Sequence, residues 1–329
     1  MSALAPTMQA FFTERLTRQR QVSTHTIAAY RDTLRMLLSY AADRVAVAPS
    51  QLDISDIDAS LVAGFLDHLQ HQRGNSARTR NARLAAIHSL FKFAALQHPE
   101  HAESISRVLA IPPKRCDQAL ITHLSDSEVE ALLAACDQRT WTGRRDHALL
   151  LLAVQTGLRV SELTGLTRRD LHLGTGAHVA CHGKGRKDRI TPLTTTTVAV
   201  LTGWLPELAA AQDTPLFPTR QQRRLSRDAV EHRIALYQDV AAVQCPSLRE
   251  KIVTAHVLRH TAAMRLLRAG VDTSVIALWL GHASVETTQI YLHADLTLKE
   301  RALARTQPDR SQPSRYRPPD KLLAWLAAL

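Results

Sequence analysis

The sequence predicts a mainly α-helical chain of two domains with one small β-sheet. Three observations carry this. Apolar residues recur at helical spacing through the first ~100 residues. A proline pair then breaks the pattern at Pro112 and Pro113. Later, two short β-prone runs flank a glycine-containing loop between Ala177 and Leu193.

In the first domain, Tyr30, Leu34, Leu37, Leu38 and Ala41 fall on one helical face, and Ser23 can cap that helix. Val62, Phe65, Leu66 and Leu69 make a second stripe. Leu84, Ile87, Phe91 and Ala94 make a third, on a helix opening with Arg78, Arg80 and Arg83. Together they predict a small helical bundle over residues 1–110. Paired prolines lack backbone donors and favour extended backbone, so residues 111–122 read as a linker.

The second domain is expected over 123–310. Ser125 and Glu128 have capping-box spacing ahead of the stripe Val129, Leu132, Leu133 and Cys136. Ala148 to Val154 is apolar all round and predicts a buried helix, with Gly157 as its C-terminal stop. His178 to Cys181 and Arg189 to Thr191 predict a hairpin about the Gly183–Asp188 loop. Gly270 and Gly281 end two further helices, the second starting at Asp272. A polar, proline-containing connector starts at Ser311. It leads to Leu322, Trp325, Leu326 and Leu329, spaced i, i+3, i+4, i+7. A helix of about ten residues is marginal alone, so the tail 311–329 needs a groove, on its own domain or on a neighbouring subunit.

Composition narrows the function. The net charge of +11 favours a polyanionic partner, nucleic acid before a membrane surface. Aromatics are only 5%, against recognition by rows of stacked rings. No apolar run approaches the ~20 residues needed to span a bilayer, and no signal-peptide pattern opens the chain. Cys116, Cys136, Cys181 and Cys245 are scattered without a CxxC pair, so neither zinc nor disulfides are expected. These features predict a cytoplasmic protein.

The chemistry concentrates between His256 and Tyr291. His256 and Arg259 share a helical face, His282 follows a helix-ending glycine, and Tyr291 lies on the next helix. Singly, each has an ordinary structural explanation, as salt-bridge partner, surface histidine or core aromatic. In combination, HVLRH (256–260), LGHAS (280–284) and TTQIY (287–291) resemble the C-terminal signature of the tyrosine recombinase, or phage integrase, family. TGLRVSELTGL (156–166) is similar to its first-arginine motif, and GKGRKDRITPL (183–193) to its hairpin-lysine motif. STHTIAAYRDTL (23–34) and SARTRNARLAAIHSLFKF (76–93) resemble its helical core-binding domain.

The resemblance implies a SAM-like core-binding bundle followed by a mixed α/β catalytic domain. It implies six catalytic positions: Arg159 and Arg259 as phosphate clamps, Lys184, His256, His282, and Tyr291 as nucleophile. Lys184 is preferred to nearby Lys187, which is left to the DNA backbone, while Arg78 and Arg80, at the opening of their helix, are candidates for groove or phosphate contacts. The implied reaction passes through a 3′-phosphotyrosine and needs no ATP, in keeping with the absence of a GxxxxGK[ST] pattern. No cofactor is expected. Two guanidinium forks can supply the charge that a metal supplies elsewhere, and no carboxylate cluster suggests a metal pair.

The implied partner is double-stranded DNA, bound by a homotetramer on paired recombination sites or by an assembly with a related recombinase. A mobile-element integrase or transposase is the favoured role, with chromosome- or plasmid-dimer resolution next. A catalytically silent DNA-binding protein and a tyrosine-type topoisomerase are the competing readings.

Overall fold

The computed structural model describes residues 4–116, 121–182, 188–281 and Thr288. The chain divides into two compact units, residues 1–118 and 119–329.

The N-terminal unit is helical. Helix α1 (Leu4–Ala10) runs into a wider π-helical stretch, Phe11–Gln19. Four helices follow: α2 (Thr24–Val45), α3 (Ala59–His71), α4 (Ala77–Ala94) and α5 (Ala102–Leu109). Their starts are locally encoded. Ser23, Asp58 and Ser76 each place a side-chain oxygen on a backbone N–H two or three residues into the helix, satisfying an otherwise orphaned donor. Leu34, Leu37 and Ala41 of α2 meet Val62, Phe65, Leu66 and Leu69 of α3 and Leu84, Ile87 and Phe91 of α4 in one core. The expected apolar stripes thus face one another. Residues after α5 leave helical geometry, and the Asn81 side chain both donates to the Lys114 carbonyl and accepts from its N–H, at 2.7 and 2.9 Å. That pair fixes the chain's exit along α4.

The C-terminal unit opens with α6 (Asp126–Ala134), whose capping box is formed by Ser125 and Glu128. Glu128 is buried, and Lys251 Nζ (2.6 Å) and Ser247 Oγ (2.7 Å) also donate to it. Burial alone would raise its pKa. The hydrogen bonds from Lys251, Ser247 and the Ser125 N–H prevail and hold it at about 2.

Next come α7 (Trp141–Thr156) and α8 (Val160–Gly165). Helix α7 is buried along most of its length, and Gly157 ends it at φ 65°, a left-handed conformation that costs glycine little. Strands β1 (Leu171–His172), β2 (His178–His182) and β3 (Asp188–Pro192) form an antiparallel sheet in that order. The register pairs Ala180 with Ile190 and Cys181 with Arg189, so β2 and β3 are the expected hairpin. The chain then forms α9 (Thr195–Trp204), α10 (Arg227–Gln244), α11 (Ala255–Arg268) and α12 (Thr273–Leu280). Ala263, Met264, Leu267, Ile276 and Leu280 clamp α11 to α12. Among the described residues, no helix is long and apolar enough to cross a membrane.

Candidate active site

Three helix ends build the site. Helix α8 begins at Arg159, which is in extended conformation and serves as its N-cap residue. The Arg159 N–H donates to Glu162 Oε2 at 2.8 Å, and its guanidinium returns to Glu162 Oε1 at 2.9 Å. One carboxylate therefore fixes both the backbone and the side chain of this arginine. Arg159 Nη2 also donates to the Gly281 carbonyl at 3.0 Å. Its side chain is 33% exposed, and its remaining N–H groups bond no other described residue. A fork so placed is available to an oxyanion.

Arg259 lies one turn into α11 and is only 3% exposed. Its Nη1 donates to the Gly157 carbonyl at 2.6 Å and its Nη2 to the Leu280 carbonyl at 2.7 Å. These oxygens belong to the C-terminal ends of α7 and α12, where the helix dipole is negative and favours a cation. These two acceptors are neutral carbonyls, which orient the Arg259 guanidinium. Trp279 Nε1 donates to the Thr156 carbonyl at 3.1 Å and holds the same two helix ends together.

His256 stands three residues before Arg259, at the start of α11, and is exposed. Its ring meets that of His260 edge-on, with centroids 4.2 Å apart. Its pKa is held below the ordinary 6.5, first by partial burial of the ring, then by the charges of Arg259, Arg159 and Arg227, with Glu231 opposing. The neutral imidazole, which is the proton-accepting form, therefore persists to lower pH than in a free histidine. If His256 accepts the proton of the attacking hydroxyl, the acid limb of the cleavage rate should have its midpoint below about 6.5. The expected profile is flat across neutral pH and falls as His256 becomes protonated. A pH series of single-turnover cleavage checks this, and a midpoint above that value would remove His256 from the role.

Sequence reading missed two groups. Glu231 of α10 accepts from the Ala255 N–H at 3.1 Å and so caps α11 just before His256. Arg189, read only as a strand residue, reaches across the unit. Its Nη1 and Nη2 straddle Glu162 at 3.1 and 2.7 Å, and its Nε donates to the Trp279 carbonyl at 3.0 Å. Glu162 is thus a hub for Arg159 and Arg189. Burial would raise its pKa, but the bonds from Arg189 and the Arg159 N–H, aided by both charges, hold it low. The β-prone runs of the hairpin gave no hint of this, although an arginine on a half-buried strand position is best held by a counterion.

Of the six expected catalytic positions, the structure brings Arg159 and Arg259 together at the end of α12 and sets His256 within the field of both. Lys184, His282 and Tyr291 lie outside the described residues, as do Lys187 and the tail. His282 directly follows Gly281, whose carbonyl holds Arg159. In the N-terminal unit, Arg78 is exposed but Arg80 is 5% exposed, and its Nε and Nη1 have no hydrogen-bond partner. Of these two candidates for groove or phosphate contacts, Arg78 thus faces outward and Arg80 inward. Three other nucleophiles among the described residues of this unit, Cys181, Cys136 and Tyr237, are poorly suited to attack. Burial pushes the Cys181 thiol up to about 11 and the Cys136 thiol up to about 12. The buried Tyr237 phenol donates to Asp146 at 2.7 Å, and its pKa is raised by burial and by that carboxylate.

Residues 122–297 match the phage integrase family, and residues 10–98 match the phage integrase N-terminal SAM-like domain. The chain is a tyrosine recombinase. The relatives agree. It is 54% identical over 328 residues to y4rC of Sinorhizobium fredii, a presumed integrase/recombinase, covering 100% of this chain and 99% of that protein. It is 34% identical to the tyrosine recombinase XerC of Xanthomonas campestris, covering 90% and 85%. The site-specific recombinase XerH, in a post-cleavage complex with palindromic difH substrate, is similar in structure, with a TM-score of 0.66. Its identity is 26%, over 87% of this chain and 81% of that one. The recombinase acts on DNA, cleaving and rejoining its strands. Its N-terminal domain is the SAM-like bundle and its C-terminal domain is catalytic.

Proposed function

We propose that this recombinase cleaves one DNA strand at a time through a 3′-phosphotyrosine at Tyr291, in a site completed by Arg159, Lys184, His256, Arg259 and His282. The convergence of Arg159 and Arg259 on successive carbonyls at the end of α12 carries this reading. It sets two permanent cations near His256, whose neutral form they and partial burial favour, immediately before His282 in the chain. Preorganised cations stabilise the charge that builds as phosphorus becomes five-coordinate. His256 takes the phenol proton, Lys184 donates one to the departing 5′-oxygen, and His282 hydrogen-bonds the scissile phosphate. The bond energy stays in the phosphotyrosine, so a 5′-hydroxyl of another strand reseals it without ATP.

The role we favour is mobile-element integration or transposition. Full-length similarity at 54% to a protein named for integration supports it, while the 34% similarity to XerC supports dimer resolution as the second reading. The enzyme works in the cytoplasm as a tetramer of this chain, or with a related recombinase, on paired duplex sites. Arg78 and Lys187 contact the DNA backbone, residues 111–122 link the domains, and the tail 311–329 packs between subunits.

The test is to incubate the purified chain with sheared genomic DNA of its host in EDTA, denature with detergent, and sequence the DNA that remains covalently attached. Adducts at the ends of a repeated element are expected. Adducts at one chromosomal site instead favour dimer resolution. No adduct in EDTA, with adducts appearing on adding magnesium, overturns the metal-independent mechanism.

A further inference from the structure

The last three carbonyls of the α12 turn each accept from a different arginine. Trp279 O takes Arg189 Nε at 3.0 Å, Leu280 O takes Arg259 Nη2 at 2.7 Å, and Gly281 O takes Arg159 Nη2 at 3.0 Å. A helix C-terminus carries roughly half a negative charge, which does not balance three cations on one turn. Two of the three are assigned to the phosphate. The third cannot join them. All three nitrogens of Arg189 are engaged internally, two of them on one carboxylate, and its side chain is 11% exposed.

The carboxylate explains its presence. Glu162 is needed to hold Arg159, through both the N–H and the guanidinium. A buried, unopposed Glu162 would cancel the positive charge of Arg159, and a phosphate would meet a neutral pair. Arg189 lies bidentate on the same carboxylate, so the trio keeps a net charge of +1, at the end that is one-third exposed. Gly281 makes room for this arrangement. It sits at φ 65°, and a Cβ there would stand 2.7 Å from Arg189 Nη1.

We propose that Arg189 is a positioning residue for strand cleavage, which balances the charge of Glu162 and pins the α12 turn so that Arg159 presents an uncancelled cation to the scissile phosphate. The proposal rests on the assignment of Arg159 to the phosphate. Arg189 takes no part in proton transfer and touches no DNA.

The experiment compares wild type, Arg189→Gln, Arg189→Lys, Arg159→Ala and the double variant Arg189→Gln/Glu162→Gln. Single-turnover cleavage of a trapped duplex is measured at saturating enzyme, with DNA affinity and thermal melting measured separately. Arg189→Gln should lose about 100-fold in cleavage rate, the order of one lost transition-state contact, with its DNA Kd within about threefold. The double variant removes the uncompensated carboxylate and should recover about tenfold of that loss. A lost purely mechanical brace would not be mended in this way. Arg189→Lys keeps the charge but not the fork, and should fall between wild type and Arg189→Gln.

Wild-type cleavage by Arg189→Gln overturns the proposal. So does a double variant no faster than the single one. If Arg189→Gln does not fold, the folded double variant and Arg189→Lys still decide. Both should then cleave well above Arg159→Ala, and rates equal to Arg159→Ala overturn the inference. Normal cleavage by Arg159→Ala would instead remove the phosphate assignment itself.

Discussion

Arg259→Gln is expected to lower single-turnover strand cleavage by at least ~10³-fold while duplex binding weakens far less. The expectation follows from how the side chain is held. Its two Nη atoms bond the carbonyls of Gly157 and Leu280 at 2.6 and 2.7 Å, and it is 3% exposed. A cation so fixed pays no reorganisation cost when negative charge develops nearby. Glutamine is neutral and too short to span both acceptors. One buried carbonyl then loses its partner, at about 1–3 kcal/mol, so the melting temperature should fall as well. Arg259→Lys separates the two effects. It restores the charge, but a point-like ammonium cannot bridge two helix ends in a planar fork. Lysine should therefore recover little of the rate. The check is covalent adduct formed per enzyme at saturating protein, measured below each variant's melting transition. Near-wild-type cleavage by Arg259→Gln would exclude Arg259 from transition-state stabilisation.

That prediction shows which part of the site could be read from residues alone. Helix ends were legible because their signals are local. Ser23, Ser125, Asp272 and Gly157 act within a few residues of themselves, and all four stand at the ends expected. The face shared by His256 and Arg259 was legible because the helical period fixes it. What holds the arginines was not legible. Every residue carries a carbonyl, so no residue type marks Trp279, Leu280 and Gly281 as acceptors. Arg189 reaches the Trp279 carbonyl from 90 positions away in sequence. Arg78 and Arg80, read together as candidates for groove or phosphate contacts, differ in exposure for a reason that was available. Residues two apart on a helix are separated by roughly 200° about its axis, so exposing Arg78 turns Arg80 inward.

Tyr291→Phe is expected to abolish the covalent adduct, a loss of at least ~10⁴-fold, while duplex binding is retained. The substitution keeps the ring and removes only the attacking oxygen. No described tyrosine of the catalytic domain can replace it. Tyr237 is buried and commits its hydroxyl to Asp146, and its raised pKa makes ionisation harder still. A modified substrate sharpens the test. With sulfur in place of the 5′-bridging oxygen, the leaving group is a thiolate, whose parent thiol has a pKa near 8.5 against the far weaker acidity of an alcohol. It departs without a proton. Cleavage by Lys184→Ala should then recover towards wild type, because the acid has become unnecessary. Tyr291→Phe should stay inactive on the same duplex, because no leaving group compensates for a missing nucleophile. Adduct formation by Tyr291→Phe on either substrate would place the nucleophile elsewhere, and failure of sulfur to restore Lys184→Ala would deny the lysine its role as acid.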